Sequence, residues 1–110
     1  MHRPATAPSP LEIEVLRKDD IAVAMCSGEV DVANARWLEA RLGQALDEGA
    51  RDVVVNLRDV SFIDSAGLTA LLRAADNARW RYGHLFLTRP TAQALRLLEL
   101  TGNAGRLRVI

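Results

Sequence analysis

The chain has 110 residues, 49% of them hydrophobic, which is enough for one compact core and too few for two ordinary domains. Fourteen basic side chains balance fourteen acidic ones, so the broad electrostatic footprint needed for nonspecific binding to nucleic acid or an anionic membrane is missing. No apolar run approaches the roughly 20 residues of a membrane span, the first ten residues lack a secretory apolar stretch, and one cysteine, Cys26, excludes an internal disulfide framework and multi-cysteine zinc sites. A cytoplasmic protein is expected.

Residues 1–10 hold three of the four prolines among Ala, Ser and Thr, and are expected to form a disordered tail. Next, Leu11, Ile13 and Val15 alternate with Glu12 and Glu14, Asp19-Asp20 marks a turn, and the apolar run Ile21 to Cys26 follows. This pattern predicts an antiparallel hairpin. In its second strand both alternating sets, Ile21-Val23-Met25 and Ala22-Ala24-Cys26, are apolar, so burial on both faces is expected. Cys26 reads as a small buried hydrophobe.

After Gly28-Glu29-Val30-Asp31 the period becomes helical, with Ala35, Leu38, Leu42 and Ala45 on one face, Asn34 as N-cap and Gly49 as the stop. Val53-Val54-Val55 predicts a fully buried strand closed by Asn56 and Leu57. Ser61 to Gly67 reads as a loop into a second helix with core face Leu68, Leu71, Leu72, Ala75 and Ala78, ended by Gly83. His84 to Thr88 alternates as a fourth strand. Pro90 suits the first position of a third helix carrying Ala94, Leu95 and Leu98, although Arg89 before it is a poor cap. Gly102 stops that helix, and Leu107 to Ile110 reads as a short last strand. The element order predicts an α/β fold, a mixed, mostly parallel four- to five-stranded sheet with helices packed against it.

The segment Val54-Val55-Asn56-Leu57-Arg58-Asp59-Val60-Ser61-Phe62-Ile63-Asp64-Ser65-Ala66-Gly67-Leu68 resembles the signature of STAS domains. Gly28-Glu29-Val30-Asp31 is a second anchor and Leu97-Leu98-Glu99-Leu100-Thr101-Gly102 a weaker third. Asp-Ser-x-Gly alone recurs by chance; three ordered anchors on matching elements are much more specific. Together they imply a STAS domain over residues 11–110; the family's domain usually continues past the last strand into a C-terminal helix, so at Ile110 either that helix is absent or the chain has been cut. That difference implies an exposed side of the sheet or pairing with another chain, and a monomer or weak dimer is expected.

The resemblance is to bacterial anti-sigma factor antagonists. It implies that Ser65, unphosphorylated, belongs to a surface that captures an anti-sigma factor with serine kinase activity, freeing a sigma factor for transcription. Phosphorylation of Ser65 then releases the partner, and a phosphoserine phosphatase would reset the switch. Asp31, Asp64, Ser65, Ala66 and Gly67 are the implied partner-binding residues. No cofactor, metal, direct nucleic-acid contact or membrane insertion is implied. A STAS scaffold, unphosphorylated and part of a stress-sensing or membrane transport complex, is the alternative within the family.

Several residues carry simpler readings. A serine at a helix mouth is a preferred N-cap, and Asp31 suits a turn aspartate bonded to its own backbone. Asp64 serves equally as an acidic residue at a helix N-terminus, and Gly67 as a small residue allowing close approach to the sheet or a partner. Trp37 and Trp80 lie about one residue off their core stripes, as residues covering a core edge do, with an exposed aromatic contact patch as the alternative. Arg79-Trp80-Arg81 at a helix end reads as solvated. A serine hydrolase is disfavoured: Ile63 stands where the nucleophile elbow needs its first Gly, and His84 is the only histidine outside the tail. Lacking also the lysine of a phosphate-binding loop, the chain is expected not to be an enzyme.

Overall fold

The computed structural model describes residues 10–110. Residues 1–9, most of the expected tail and including His2, lie outside the described residues. The chain order is β1 (Glu12–Lys18), β2 (Ile21–Val30), α1 (Ala35–Asp47), β3 (Asp52–Ile63), α2 (Ser65–Trp80), β4 (Leu85–Thr88), α3 (Ala92–Leu100) and β5 (Arg108–Val109). These build the expected α/β fold, with five strands in the spatial order β1-β2-β3-β4-β5. β1 pairs antiparallel to β2, and every later pair is parallel.

The hairpin turns on Asp19, whose φ of 55° is left-handed and tolerable for a short polar side chain. From β2 onward each crossover steps to the next strand in the same direction. Crossovers of one hand then place all three helices on one face of the sheet. The structure therefore corrects the expectation that β2 is buried on both sides. Ala22, Ala24 and Cys26 are buried under the helices, whereas Ile21 is 42% exposed and Val23 and Met25 are only half-buried.

The core lies between that covered face and the helices. Leu38 and Leu42 of α1, Leu71 of α2, Val53, Val55 and Leu57 of β3 and Leu87 of β4 are almost completely enclosed. Each large apolar side chain of this kind contributes about 1.5–3 kcal/mol through burial. Burial also pushes the Cys26 thiol up to about 12, so it stays protonated as part of the core.

Three boundaries differ from expectation. β3 runs on to Ile63, so Ser61 to Ile63 is strand and not loop. Two register shifts, between Met25 and Ser27 and between Gly28 and Glu29, let β2 follow it to the pair Val30 and Ile63. Gly28 has a φ of 109° at the second shift, a backbone position that only glycine takes readily. In α3, Thr91 is the N-cap and its side chain accepts from Ala94 N at 3.1 Å. Pro90 and Arg89 thus precede the helix, and the poor cap at Arg89 disappears. Leu95, expected in the core, is 40% exposed; Ala94 and Leu98 alone are buried there.

Candidate functional site

The site lies where two adjacent parallel strands end. Val30 and Ile63 are paired, so the residues following them, Asp31 and Asp64, begin neighbouring loops at the carboxyl edge of the sheet. This is where open α/β sheets characteristically place ligand-contacting residues. The Asp64 amide donates to the Val30 carbonyl at 3.0 Å, stitching the two loop starts together.

Asp64 is the N-cap of α2, and its Oδ1 accepts from the Gly67 amide at 2.9 Å. Ser65, read above as a candidate cap, is instead the first helical residue. Its side chain is exposed, and its hydroxyl makes no hydrogen bond among the described residues. Its carbonyl accepts from Thr69 Oγ1 at 2.9 Å. Ala66 is half-buried beside it. The first amides of a helix have no partner within the helix, and they carry the positive end of its dipole. Asp64 satisfies the amide of Gly67 and leaves those of Ser65 and Ala66 without an acceptor among the described residues.

Gly67 settles how close α2 comes to the sheet. A Cβ there would stand 2.6 Å from Val30 Cγ1 and 2.9 Å from Ile63 Cγ2. The glycine therefore permits the helix start to rest on the ends of both strands. Asp31 forms the expected turn: its Oδ1 accepts from Ala33 N at 2.9 Å, and its carbonyl receives the amides of Asn34 and Ala35. Asn34 holds the predicted N-cap position of α1 without capping it. Its side chain bonds Asp31 N and the Glu29 carbonyl instead, fixing the β2–α1 loop.

Three participants escaped the sequence reading. Gln93 of α3 uses its side-chain amide as a substitute strand: Nε2 donates to the Ile63 carbonyl at 2.7 Å, and Oε1 accepts the Ile63 amide at 3.2 Å. β4 ends at Thr88, opposite Asn56, so β3 beyond that point lacks a neighbour on this side. Val32, in the β2–α1 loop, and Phe62, near the end of β3, are 78% and 41% exposed. Their only sequence signal is an apolar residue next to a motif position, which is weak.

The profile of the STAS domain matches residues 12–109. The chain belongs to the STAS domain family. A STAS relative, BtrV of Bordetella bronchiseptica, assigned the role of anti-sigma factor antagonist, is 36% identical over 84 residues, covering 76% of this chain and 72% of its own. The Staphylococcus epidermidis anti-sigma-B factor antagonist is 33% identical over 92 residues, covering 84% and 85%. Within the family the chain is thus of the anti-sigma factor antagonist type. Its fold superposes on SpoIIAA, an anti-sigma factor antagonist, in unphosphorylated form with a TM-score of 0.76 at 19% identity over 90% of this chain and 88% of that one. For the phosphorylated form, from Bacillus, the TM-score is 0.70 at 20% identity, covering 92% and 91%.

Other candidates lie away from this STAS site. His84 immediately precedes β4 and its carbonyl accepts from Val53 N, at the opposite end of β3 from Ser65. It is not placed to act as a base for that serine. Trp80, at the far end of α2, is 85% exposed and covers no core edge, while Trp37 is 44% exposed. The neighbouring guanidinium groups are already committed: Arg79 pairs with Asp76, and Arg81 with Asp47. Among the described residues no helix is long and apolar enough to cross a membrane.

Proposed function

We propose that the unphosphorylated surface around Ser65 binds an anti-sigma factor that is also a serine kinase, and that phosphorylation of Ser65 by this partner releases it. The observation that carries the reading is the division of labour at the start of α2. Asp64 does the capping, so the Ser65 hydroxyl is exposed and uncommitted where a kinase needs it. Val32 and Phe62 supply apolar contact area, and Asp31, Asp64 and Ala66 complete the surface, whereas Gly67 is buried beneath it and sets how closely α2 meets the strands.

The switch works by charge and desolvation, not refolding. A phosphate on Ser65 adds about −1.5 to −2 charges at neutral pH to a chain of formal net charge zero. The helix N-terminus accommodates that charge locally. A partner seated on Val32 and Phe62 would have to desolvate it beside Asp64, and complex formation becomes unfavourable. A phosphoserine phosphatase restores the binding form.

The test incubates wild-type and Ser65→Ala protein with ATP and the host's candidate anti-sigma kinases, following phosphate transfer and complex formation together. Wild type is expected to form a complex and then lose it as phosphate is gained, while Ser65→Ala stays bound. A wild type that gains no phosphate and captures none of the kinases contradicts the reading.

A further inference from the structure

The sheet face opposite the helices carries side chains that an ordinary solvated face would not. In a sheet covered on one side, the outward positions alternate to polar. Here, register places Leu16, Val23, Val54 and Phe86 in one row across four strands, with Ile21 and Met25 to either side on β2. Leu16 and Ile21 are 52% and 42% exposed, and the other four are only half-buried although all of them lie on interior strands. On the helix side the register neighbours Ala22, Ala24, Val53 and Val55 are fully enclosed. No described helix packs on the apolar row.

We infer that this face is an interface between two copies of the chain, related by a two-fold axis lying along the row Leu16-Val23-Val54-Phe86. The charges on β1 select that arrangement. Glu14 and Lys18 flank Leu16 on the open face, one on each side of the row, both exposed and neither with an ion-pair partner among the described residues. A rotation about the row stacks β1 on β1 in opposite directions. Glu14 then meets the partner's Lys18 and Lys18 meets the partner's Glu14, while Ile21 meets the partner's Met25. Two sheets stacked face to face sit about 10 Å apart, which these long side chains span. A two-fold along the strands would instead stack β1 on β5, setting Leu16 against the exposed Arg108 that continues the row there and leaving Lys18 without a complement. The two-fold along the row is therefore the arrangement that pairs both β1 charges, with Arg108 of β5 meeting its own copy only at the exposed rim.

The size of the patch sets its strength. Four strands at about 4.8 Å spacing and three side-chain rows give roughly 300 Å² of projected surface per copy. A standard stable interface buries about 800 Å² per partner. The dimer is accordingly weak and concentration-dependent, and it leaves the carboxyl end of the sheet, with Ser65, outside the contact.

Sedimentation velocity on the whole chain from roughly 10 μM to 1 mM, the range suited to an interface below standard size, tests this. The mean mass of wild type should rise toward that of a dimer across the series. Glu14→Lys should raise the dissociation constant roughly tenfold, since it turns both exposed cross-pairs repulsive, and Glu14→Lys with Lys18→Glu should restore it. Phe86→Glu should hold the chain monomeric, with circular dichroism verifying that it is folded. A wild type that stays monomeric at about 1 mM, or a double reversal no better than Glu14→Lys alone, overturns the inference.

Discussion

At the amino end of β3, Asp52 gathers neighbouring segments through its carboxylate, whereas at the carboxyl end Ser65 leaves its hydroxyl exposed and uncommitted. Asp52 accepts the His84 amide at 2.9 Å and the Arg51 guanidinium at 3.1 Å, and Arg51 also pairs with Asp20 at 3.6 Å. Backbone bonds from Arg51 and Asp52 to the Asp20 carbonyl lock the β1–β2 turn to the start of β3. The carboxyl end is tied by backbone bonds and by the side chains of Asn34, Asp64 and Gln93, while the Ser65 hydroxyl stays exposed. One end is frame and the other is surface. A chemical change at Ser65 can therefore alter what the surface binds without loosening what holds the sheet together.

Mutations at the two ends sharpen this contrast. The largest effect is expected from Gly83→Ala, because a Cβ there would collide with the backbone carbonyl of Arg51, which cannot swing aside. Denaturant unfolding should show a loss of about 3 kcal/mol, with Ser65 phosphorylation of the folded fraction unchanged. Gly67→Ala drives a methyl between Val30 and Ile63. It should cost about 2 kcal/mol even though alanine is the better helix former, and, unlike the change at Gly83, should weaken partner capture per folded molecule. If the two glycine variants affect capture equally, the division between the ends fails.

Asp64→Ala removes the cap of α2 and should cost about 1 kcal/mol in the same unfolding measurement. Asp64→Asn should recover most of it, since asparagine also caps. The smallest effect is at the amino end in acid. Burial alone would raise the Asp52 pKa, but the hydrogen bonds from Arg51 and His84 and their charges outweigh it and hold it below the usual carboxylate value. A folded-state pKa below the unfolded one contributes stability above the unfolded value, about 3.9, and that contribution is lost as pH falls through the folded value. Asp52→Asn should therefore flatten the acid limb of a stability–pH curve below about pH 4.

The helices and the order of elements along the chain were legible because their apolar periodicity is strong and their core is continuous. Less visible were features set by contacts distant in sequence. The extension of β3 to Ile63 depends on two shifts of register against β2, and no local pattern in Ser61-Phe62-Ile63 distinguishes strand from loop. Burial of β2 on both sides followed from its composition, yet the one-directional strand order puts every helix on the same face. At the site, Asp64 and Ser65 are equally good caps by residue type. The register of α2 decides between them, and that register depends on Gly67 meeting Val30 and Ile63. Gln93 gives no signal at all, because its partner is a backbone thirty positions away.

The most direct measurement of the central claim compares backbone NMR shifts of the chain before and after phosphorylation of Ser65. Changes should be confined to the carboxyl end, around residues 30–34, 61–70 and the Gln93 region, with Asp20, Arg51, Asp52 and His84 unmoved. Widespread shifts reaching those amino-end residues would contradict a local charge switch on a preformed surface.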